Sequence, residues 1–570
     1  MMLRRYSVVI TLSMAIASGT AQAQRLPDAG TLLREIERTT GKTQNAPAPL
    51  LPIKPSAEDV PLPTKTGEAV LVSGFRIDAN RFPDAELQAL LKEYVGREVT
   101  LAQLQVAARK ISDYYRQHDY LAYAYLPPQT VHNGVINLKV VEAKLGQVKL
   151  DATAPTRLNT SVLRGVVTHR AVPGQPLRPE QLDQAIALLN ELPGVAQAQS
   201  LLEPGANLGE SDAVIRVEEA PLAQADMSLN NTGSEGTGVW QTIVAGSVDS
   251  PFGRGDQLRV NLLKSQGDHY LWLGASSPLG PSGRRLEISV SALEYAIQPE
   301  ISPLDLKGES TTAGVMLTQP LRRSSRFSLT ATAGLEIKRM VDRMDAITLG
   351  DKHLQGGYFG LTAMLRDHWL GGGINHLDLT VNIGDLDLTR RPEQFEGDQL
   401  TAQTHGSYQK LHLALSREQP LSQRVTLFTS LLAQWTPTNL DSSEKFTLGG
   451  YYGVRAYPTS EATGDNGWLL NLETRWQLRD SWRLSGFYDL GWIQQHAQPW
   501  RNWQTVANQP NTYQLQGVGL SLRWSPAPLF QAQATIASAI GDNPGQDAAG
   551  HNSDGNDDTF HAWLQMTLHF

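Results

Sequence analysis

Residues 448–458 read Leu-Gly-Gly-Tyr-Tyr-Gly-Val-Arg-Ala-Tyr-Pro and contain one charged side chain, that of Arg455. The glycines and the final proline argue against a stable strand or helix here. An arginine held on a loop favours a fixed carboxylate, because its planar guanidinium can bind one through two hydrogen bonds. Further along the chain, the run Gly486-Phe487-Tyr488-Asp489-Leu490-Gly491 places an acid in a strand-like segment. We therefore predict that Arg455 lies on a loop folded into a barrel and pairs with Asp489 on the barrel wall.

Two simpler interpretations of these residues stay open at this point. Arg455 could be a solvated arginine on an external loop. Asp489 could be an ordinary polar residue that faces the inside of a barrel. Both depend on the flanking chain being a barrel, which the alternation of its side chains indicates.

Residues 221–570 alternate apolar and polar side chains with a period of two. In one example Leu377, Leu379 and Val381 are separated by Asp378 and Thr380. About sixteen such segments can be placed, with Gly- and Pro-containing turns between them, and an even number of strands suits a closed barrel. One face of a soluble sheet also alternates, but all twelve tryptophans lie at or beyond residue 240, as expected for aromatic girdles at membrane interfaces. We predict a transmembrane β-barrel of 16 antiparallel strands.

The N-terminal part has three segments of distinct composition. Residues 1–23 have the positive start, short apolar run and small-residue cleavage site of a signal peptide, which predicts cleavage before Gln24. Residues 24–44 predict an amphipathic helix, and residues 45–67 are a proline-rich, extended linker. From the residues alone, the helix is either part of a disordered leader or a removable element that docks elsewhere.

Residues 68–143 and 144–220 predict two small α/β modules with the same β-α-α-β-β order. In the first module, Thr100 and Gln103 match a helix capping box. Neither module has a metal-spaced histidine cluster, a phosphate-binding glycine loop or a nucleophile motif. Small repeated modules of this kind usually bind polypeptides, and strand addition to a sheet edge is the expected mode.

The composition argues against several function classes. The chain has no cysteine and a net charge of -8, so we expect no disulfide, no thiol nucleophile and no nucleic-acid partner. Ser442 and Lys445 fit S-x-x-K but lack companion motifs, so chance is the better explanation. Residues 542–558 are rich in Asp, Asn and Gly and form either a calcium site or, as we favour, a polar loop. We predict that the protein is not an enzyme and needs no cofactor or metal.

The motifs resemble those of the two-partner-secretion transporters, the haemolysin-activator and filamentous-haemagglutinin transporter family within the outer-membrane barrel-insertion superfamily. The resemblance covers essentially the whole mature chain. Residues similar to the family's sixth-loop signature, usually V-R-G-Y, are Gly449, Gly450, Val454, Arg455 and Tyr457, with Ala456 where glycine is commoner. Residues similar to its barrel-wall partner motif are Gly486, Phe487, Asp489 and Gly491. Residues similar to the substrate-binding part of the first periplasmic POTRA module are Tyr115, Tyr120, Pro127, Pro128 and Gln129, with Asp119 at a usual glycine position. Phe570 resembles the C-terminal signal read by the barrel-assembly machinery.

The resemblance implies an outer-membrane pore of a Gram-negative bacterium. Residues 68–143 and 144–220 would be two POTRA modules in the periplasm, and the helix of residues 24–44 would plug the pore at rest. The implied partner is one large exoprotein, whose N-terminal secretion domain the modules capture and which crosses the barrel unfolded. The other implied partners are outer-membrane lipid and the barrel-assembly machinery, and the transporter would be a monomer. An insertase for other barrel proteins and an outer-membrane enzyme are the alternatives.

Overall fold

The computed structural model describes residues 27–44, 69–151, 157–207, 209–504, 506–507 and 509–570. The predicted signal peptide and linker therefore lie outside the described residues. The α-helices of the described residues are α1 (Ala29–Gln44), α2 (Asp84–Leu90), α3 (Leu101–Gln117), α4 (Thr160–Arg170), α5 (Pro179–Asn190) and α6 (Pro392–Gln399). Short 3-10 helices span Lys92–Tyr94, Trp369–Gly371 and Ser442–Glu444.

Two small α/β modules follow α1, and we call them module 1 (residues 69–143) and module 2 (residues 144–220). Module 1 contains β1 (Val70–Leu71), β2 (Gly74–Asp78), β3 (Glu98–Val99), β4 (Ala122–Tyr125) and β5 (Val135–Glu142). Module 2 contains β6 (Lys144–Leu150), β7 (Val195–Pro204) and β8 (Glu210–Glu219). Each has a three-stranded sheet, in the order β2-β5-β4 and β6-β8-β7, so the two edge strands flank the last strand of each module. The helices cover one face of each sheet and enclose a separate apolar core.

Local sequence signals explain where the module helices begin and end. The predicted capping box at α3 is present, since the Thr100 side chain accepts from the Gln103 backbone and the Gln103 side chain accepts in return. The first helix of module 1 follows Pro83 and stops at Leu90, after which a 3-10 turn spans Lys92–Tyr94. The backbone of Leu91 leaves the helical region at φ -103° and ψ 0°, which ends the α-helix there.

The predicted barrel of sixteen antiparallel strands is confirmed. Its strands are β9 (Ala223–Asn230), β10 (Gln241–Asp249), β11 (Gln257–Lys264), β12 (Asp268–Pro278), β13 (Arg285–Ala296), β14 (Leu306–Arg323), β15 (Phe327–Met344), β16 (Ile347–Asp367), β17 (Gly373–Asp387), β18 (Gly406–Pro420) and β19 (Val425–Trp435). After two short strands, β20 (Phe446–Thr447) and β21 (Thr463–Gly464), the barrel continues with β22 (Asn466–Arg479), β23 (Trp482–Gln494), β24 (Thr512–Ala527), β25 (Phe530–Ala539) and β26 (Phe560–His569). Strand β26 pairs with β9 and closes the sheet.

The strand pattern separates an apolar outer face from a polar inner one. On β13, Ile288 and Val290 are 58% and 49% exposed on the outer face, whereas Ser291 points inward and is buried. This is the arrangement of a barrel whose outer face meets an apolar medium. Among the described helices, none is both long and apolar enough to cross a membrane.

Helix α1 lies inside the barrel. Its apolar residues Ala29, Leu32, Leu33 and Ile36 are almost fully buried against inward-facing residues of the strands. The inward-facing residues in this cluster are Ile243, Leu263, Tyr270, Leu293, Tyr295, Met340, Leu354 and Leu386. The predicted amphipathic helix is therefore present, and its apolar face packs on the barrel wall.

Module 2 contacts one end of the barrel, which we call the module end. Arg323, at the end of β14, binds the Glu191 carboxylate through Nε and Nη2 at 2.5 and 3.1 Å. Ser250, in the turn after β10, donates to the Pro193 carbonyl at 2.7 Å. These contacts seat the C-terminal end of α5 on the turns of the barrel.

Candidate functional site

The connection between β19 and β22, residues 436–465, is the sixth loop at the end of the barrel opposite module 2, and we call it loop six. Its middle part folds into the lumen, because Val454, Ala456 and Tyr457 are almost fully buried against residues of β22–β25. The loop carries the motif that was singled out in the sequence.

A compact double turn shapes this part of loop six. The Val454 N–H donates to the Leu448 carbonyl at 2.7 Å, and the Gly450 N–H donates to the Tyr457 carbonyl at 3.1 Å. Gly449 and Val454 also form an isolated parallel bridge. Gly450 has a φ of +93°, a conformation that favours glycine over any residue with a Cβ. The turn projects Arg455 toward the wall of the barrel.

Arg455 binds Asp489 of β23 through three donors. Its Nε and Nη2 donate to the two carboxylate oxygens at 2.9 and 2.8 Å, and its backbone N–H adds a third bond at 3.1 Å. Asp489 is fully buried and Arg455 is 8% exposed. The predicted ion pair is thus present with the bidentate geometry that a guanidinium and a carboxylate favour.

Four further groups hold the ion pair in place. The remaining guanidinium nitrogen, Nη1, donates to Glu473 at 3.1 Å, and the guanidinium carbon lies 3.4 Å from the centre of the Phe487 ring. Asn471 donates to Asp489 at 2.8 Å, and the Trp563 indole donates to the Arg455 carbonyl at 2.8 Å. Removing one partner of such a buried pair leaves an unpaired charge, at a cost of about 3–5 kcal/mol.

Ala456 occupies a position where the resemblance suggests glycine. Its backbone φ is not positive, so an alanine is not strained there. The facing residue on β24 is Gly517, and a Cβ on that glycine would lie 2.6 Å from the Ala456 Cβ. The glycine that allows close packing is therefore Gly517 on the wall, and it makes room for the Ala456 methyl group on the loop.

Gly486 and Gly491 flank Asp489 on the same strand, β23, as predicted from their spacing. A Cβ at Gly491 would collide with the Leu448 side chain of loop six, whereas at Gly486 the nearest atom would be 3.7 Å away. Of these two glycines, Gly491 is therefore the one that the close approach of the loop requires.

Helix α1 is hydrogen-bonded to loop six along its length. Arg34 donates to the Ser442 carbonyl, Arg38 donates to the Tyr452 carbonyl, and Ser460 donates to the Glu35 carboxylate. The helix therefore contacts the same loop whose tip carries Arg455. The two elements occupy the lumen as one hydrogen-bonded unit.

Two groups of opposite charges, each around a buried lysine, lie beside α1. Lys352 of β16 lies 2.8 Å from Asp28, just before the helix, and 2.8 Å from Asp441 of loop six. Lys338 of β15 lies 3.2 Å from Glu444 of loop six. Glu37 and Glu336 also lie near the Lys338 amine, and Lys410 pairs with Glu444, which completes the second group. The opposite charges tie helix, loop and wall together.

The connection between β25 and β26, residues 540–559, which we call loop eight, covers loop six from outside. Buried Glu461 of loop six accepts hydrogen bonds from the Asn543 side chain at 2.8 Å and from the Ser553 N–H at 2.6 Å. Burial raises the pKa of the Glu461 carboxyl, although these hydrogen bonds oppose the shift.

Asp547 accepts from the Ala549 and His551 N–H groups of its own loop. The Asp547 carboxylate thus stabilises a turn of loop eight. Among the described residues, no group of three or more His, Cys, Asp or Glu side chains is placed to hold a metal ion.

The S-x-x-K pair has no shared geometry. Ser442 donates to Asp28 at 2.6 Å, whereas Lys445 binds Asp465 at 2.7 Å. The two side chains serve different contacts of loop six. The chance explanation of this motif therefore fits the geometry.

The module 1 residues singled out in the sequence lie in three separate places, which are the core of the module, the contact between the modules and the turn after β4. Tyr115 is fully buried, and its hydroxyl donates to Glu142 at 2.9 Å; burial, with help from this carboxylate, raises the pKa of the Tyr115 phenol. Tyr120 lies between the two modules, with the Arg81 and Arg178 guanidinium carbons 4.4 and 5.5 Å from its ring centre.

The Pro-Pro-Gln segment forms the turn after β4. Pro127 is half-buried and Pro128 is exposed. The Gln129 amide is bonded to the backbone of Asn137. This segment and the two tyrosines therefore do not form one continuous surface.

Phe570 ends the chain beside the closing strands. Its backbone N–H donates to the Ala225 carbonyl at 2.8 Å, and its side chain is 72% exposed. The terminal aromatic ring is thus largely exposed.

Three partners of the Arg455–Asp489 pair were not predicted from the sequence, namely Glu473, Asn471 and Trp563. A signal for the first two was available, since Asn471 and Glu473 occupy the polar positions of an alternating strand. The structure pairs Asn471 with Asp489 and Glu473 with Phe487 in adjacent strands. The sequence held no comparable signal for Trp563, because β26 is brought near loop six only by closure of the barrel.

Comparison with known proteins gives matches along most of the chain. The family described as haemolysin secretion/activation protein ShlB/FhaC/HecB matches residues 209–523, and the POTRA domain of ShlB type matches residues 70–143. The heme/hemopexin transporter protein HuxB of Haemophilus influenzae is 26% identical over 586 residues, which cover 99% of each chain. The outer membrane transporter CdiB of Escherichia coli is 24% identical over 454 residues, 76% of this chain and 73% of the relative.

Solved structures show the same fold. CdiB from Escherichia coli superposes with a TM-score of 0.72 at 20% identity, covering 97% of this chain and 100% of that one. CdiB from Acinetobacter baumannii superposes with a TM-score of 0.65 at 15% identity and the same coverage.

Proposed function

The chain belongs to the haemolysin secretion/activation family ShlB/FhaC/HecB, and on this premise we propose how its modules, lumen and loop six secrete one exoprotein. It is a two-partner secretion transporter of the outer membrane, and its modules are periplasmic. In our proposal the modules capture the unfolded exoprotein, α1 leaves the lumen, and the chain passes outward through the barrel.

The single observation that carries this proposal is the buried contact between Arg455 and Asp489. The ion pair bonds the tip of loop six to the wall inside the lumen, and the buried charge makes release of that tip costly. We infer that the pair anchors loop six, which keeps a defined path open after α1 has left. Gly449, Gly450, Val454 and Tyr457 would shape the loop, and Phe487 and Gly491 would shape the wall that receives it, whereas Gly486 makes no close contact with the loop.

The polar surface of α1 supports its role as a removable plug. The helix is held by hydrogen bonds and ion pairs to loop six and the wall, in addition to its apolar face. Water and mobile charges can replace polar contacts when a helix moves into an aqueous space, so such a helix can leave without exposing a large apolar core. An entirely apolar helix would be held far more strongly.

Two finer parts of the proposal concern partners. In module 1, Tyr120 and the turn of Pro127, Pro128 and Gln129 would make separate contacts with the exoprotein, and buried Tyr115 would maintain the shape of the module. The exposed ring of Phe570 at the end of the last strand would serve as the signal for the barrel-assembly machinery. We further propose that the transporter acts as a monomer.

The test compares a deletion strain carrying no transporter, the native transporter or the Arg455→Ala variant. We expect mass spectrometry of the culture medium to show one large protein that is lost on deletion, restored by the native chain and strongly reduced with Arg455→Ala. The variant barrel should still be found in the outer membrane, since the strands keep their pairing. Normal secretion by the variant would contradict the anchoring role.

The same experiment separates the alternative function. Loss of many barrel proteins from the outer membrane, with an intact set of secreted proteins, would indicate an insertase. The full-length similarity to a heme/hemopexin transporter makes a haem-binding exoprotein the first candidate for cargo. Retention of the lost protein on haem-agarose would support that candidate.

A further inference from the structure

The sheets of the two modules differ in how their edges are closed. Successive residues of a strand direct their N–H and C=O groups to alternate sides, so every second residue of an edge strand faces outward. Unpaired outward groups are a template on which another extended chain can add as a new strand. A side chain that hydrogen-bonds such an outward group, which we call an edge cap, prevents this addition.

Each strand of the module 1 sheet carries an edge cap. On β2, the Gln88 amide donates to the Phe75 carbonyl at 2.7 Å. On β4, the Ser112 hydroxyl accepts from the Ala124 N–H at 2.9 Å. Where β4 ends, the Gln129 amide accepts from the N–H of Asn137 on β5 at 2.7 Å and donates to its carbonyl at 2.8 Å. With edge strands of only five and four residues, module 1 offers little free backbone.

One edge of module 2 is also largely closed. On β6, the Leu145 N–H donates to the Gln175 carbonyl at 2.9 Å, and its carbonyl accepts from the Gly174 N–H at 2.6 Å. Further along β6, the Val148 side chain is buried and that of Leu150 is half-buried. A chain added along β6 would therefore meet few exposed apolar side chains.

The opposite edge, β7, is capped at one position and then left open. The Asn190 amide accepts from the Ala198 N–H at 2.7 Å and donates to the Ala198 carbonyl at 3.2 Å, which shows that Ala198 faces outward. By alternation, Ser200 and Leu202 also face outward, and their backbone groups have no hydrogen-bond partner within the described residues. At ten residues, β7 is also the longest edge strand of either module.

Exposed apolar side chains accompany the open backbone. Leu201 is 52% exposed and Leu202 is 44% exposed, and adjacent residues of a strand point to opposite faces. A chain added beside them can thus bury apolar side chains on both faces of the sheet. Strand addition supplies affinity through backbone bonds, and such side-chain contacts supply selectivity.

We propose that the outer edge of β7, from Ser200 to Leu202, is the strand on which the modules receive an extended, alternately apolar segment of the exoprotein. The inference rests on the proposed function and adds the place of capture to it. The start of β7 points to the barrel, because Gly194 lies against Ser250 in a turn at the module end. A segment paired along β7 therefore has one end beside the module end of the barrel.

A proline tests the backbone role of this edge. Leu202→Pro removes an outward N–H without breaking a bond to β8, and proline is tolerated at such edge positions. Leu202→Ala keeps the N–H and shortens only the side chain. The purified full-length variants would be titrated with the N-terminal domain of the exoprotein that deletion removes from the medium, added from denaturant.

We expect Leu202→Pro to weaken binding by about tenfold or more and Leu202→Ala by only a few-fold. Unchanged heat-modifiable migration of both variants in gels would show that the barrel is intact, and circular dichroism would check the modules. Native-like binding by Leu202→Pro would overturn the proposal. Equal losses for both variants would also overturn it, since the side chain and not the backbone would then be responsible.

Single cysteines test the location independently, because the native chain has none. We expect Leu201→Cys to form disulfides with cysteines in the same exoprotein domain, while Tyr123→Cys does not. The control is well matched, since Tyr123 is 67% exposed on the capped strand β4. Cross-linking through Tyr123→Cys alone would move the capture site to module 1. If no exoprotein is lost on deletion, the proposed function itself fails, and that outcome is visible before this test.

Discussion

At the residue scale, Arg455 uses all three nitrogens of its guanidinium and its backbone N–H to bind the wall of the barrel. Its Nε, Nη2 and backbone N–H donate to Asp489, and its Nη1 donates to Glu473. A lysine could not reproduce this arrangement, because an ammonium is a point charge without a planar fork. The site therefore requires an arginine for its geometry as well as for its charge.

Glu461 has a comparable role between loops six and eight. Glu461→Ala removes the carboxylate and leaves one N–H of the Asn543 amide and the Ser553 N–H without their acceptor, which costs about 1–3 kcal/mol for buried groups. We expect loop eight to detach from loop six. Loop eight contains Asp542, Asp547 and Asp554, so faster cleavage by an aspartate-specific protease added to intact cells would report the detachment.

The matched control for this variant is Glu300→Ala, since Glu300 is an exposed glutamate in another loop at the same end of the barrel. Its cleavage rate should equal that of the native protein. Equal rates for Glu461→Ala and the native chain would show that the contact does not hold the loop.

At the element scale, α5 connects module 1 to the barrel. At its N-terminal end, Asp119 of module 1 accepts from the Glu180 N–H at 2.7 Å and pairs with Arg178 at 3.0 Å. At its C-terminal end, Glu191 pairs with Arg323 of the barrel. The helix has no side-chain cap within its own module, so Asp119 supplies one from the neighbouring module.

The resemblance suggests glycine at position 119, and Asp119 does have a φ of +61°, a conformation in which glycine is unstrained. Asp119→Gly would relieve that strain but remove the cap and the ion pair, at a cost of about 1 kcal/mol for the cap. We expect a wider range of orientations between the modules. Pulsed electron resonance between spin labels on cysteines at Thr130 and Arg164 would measure it in the full-length protein.

Asp119→Asn is the conservative control, because asparagine tolerates this backbone conformation and keeps the acceptor for the Glu180 N–H. Its distance distribution should remain close to the native one. A distribution for Asp119→Gly as narrow as the native one would mean that backbone contacts alone hold the modules together.

At the scale of the whole molecule, the barrel is closed by its shortest pairing. Strands β26 and β9 pair over five residues, whereas β13 and β14 pair over twelve. The exoprotein has two conceivable routes, one through the polar lumen and one sideways between β26 and β9. Our proposal uses only the lumen.

A disulfide across the closing pair distinguishes the two paths. Ser228 and Thr567 are direct neighbours whose hydroxyls lie 2.9 Å apart, so Ser228→Cys with Thr567→Cys should form a disulfide in the oxidising periplasm. We expect secretion of the exoprotein at the native level, measured in the medium with and without reductant. The single variant Ser228→Cys is the control. A block that reductant relieves would mean that the barrel must open sideways.

Much of the architecture follows from local patterns. Alternation of side chains depends only on strand geometry, and it predicted sixteen strands. The capping box predicted the start of α3, and the apolar face of Leu32, Leu33 and Ile36 predicted a helix before the linker. Arg455 and Asp489 stood out because a lone arginine in a glycine-rich loop and a lone acid in a strand are unusual.

The tertiary structure decided which polar groups meet. Register placed Asn471 and Glu473 beside the strand of Asp489, and barrel closure brought Trp563 to the Arg455 carbonyl. The edge caps of the modules, and the open stretch from Ser200 to Leu202, depend on where helices lie against sheets. A chain specifies its alternation residue by residue. Register, closure and packing instead join residues far apart in sequence, and the energy that selects them exists only once the sheet is closed and the lumen is filled.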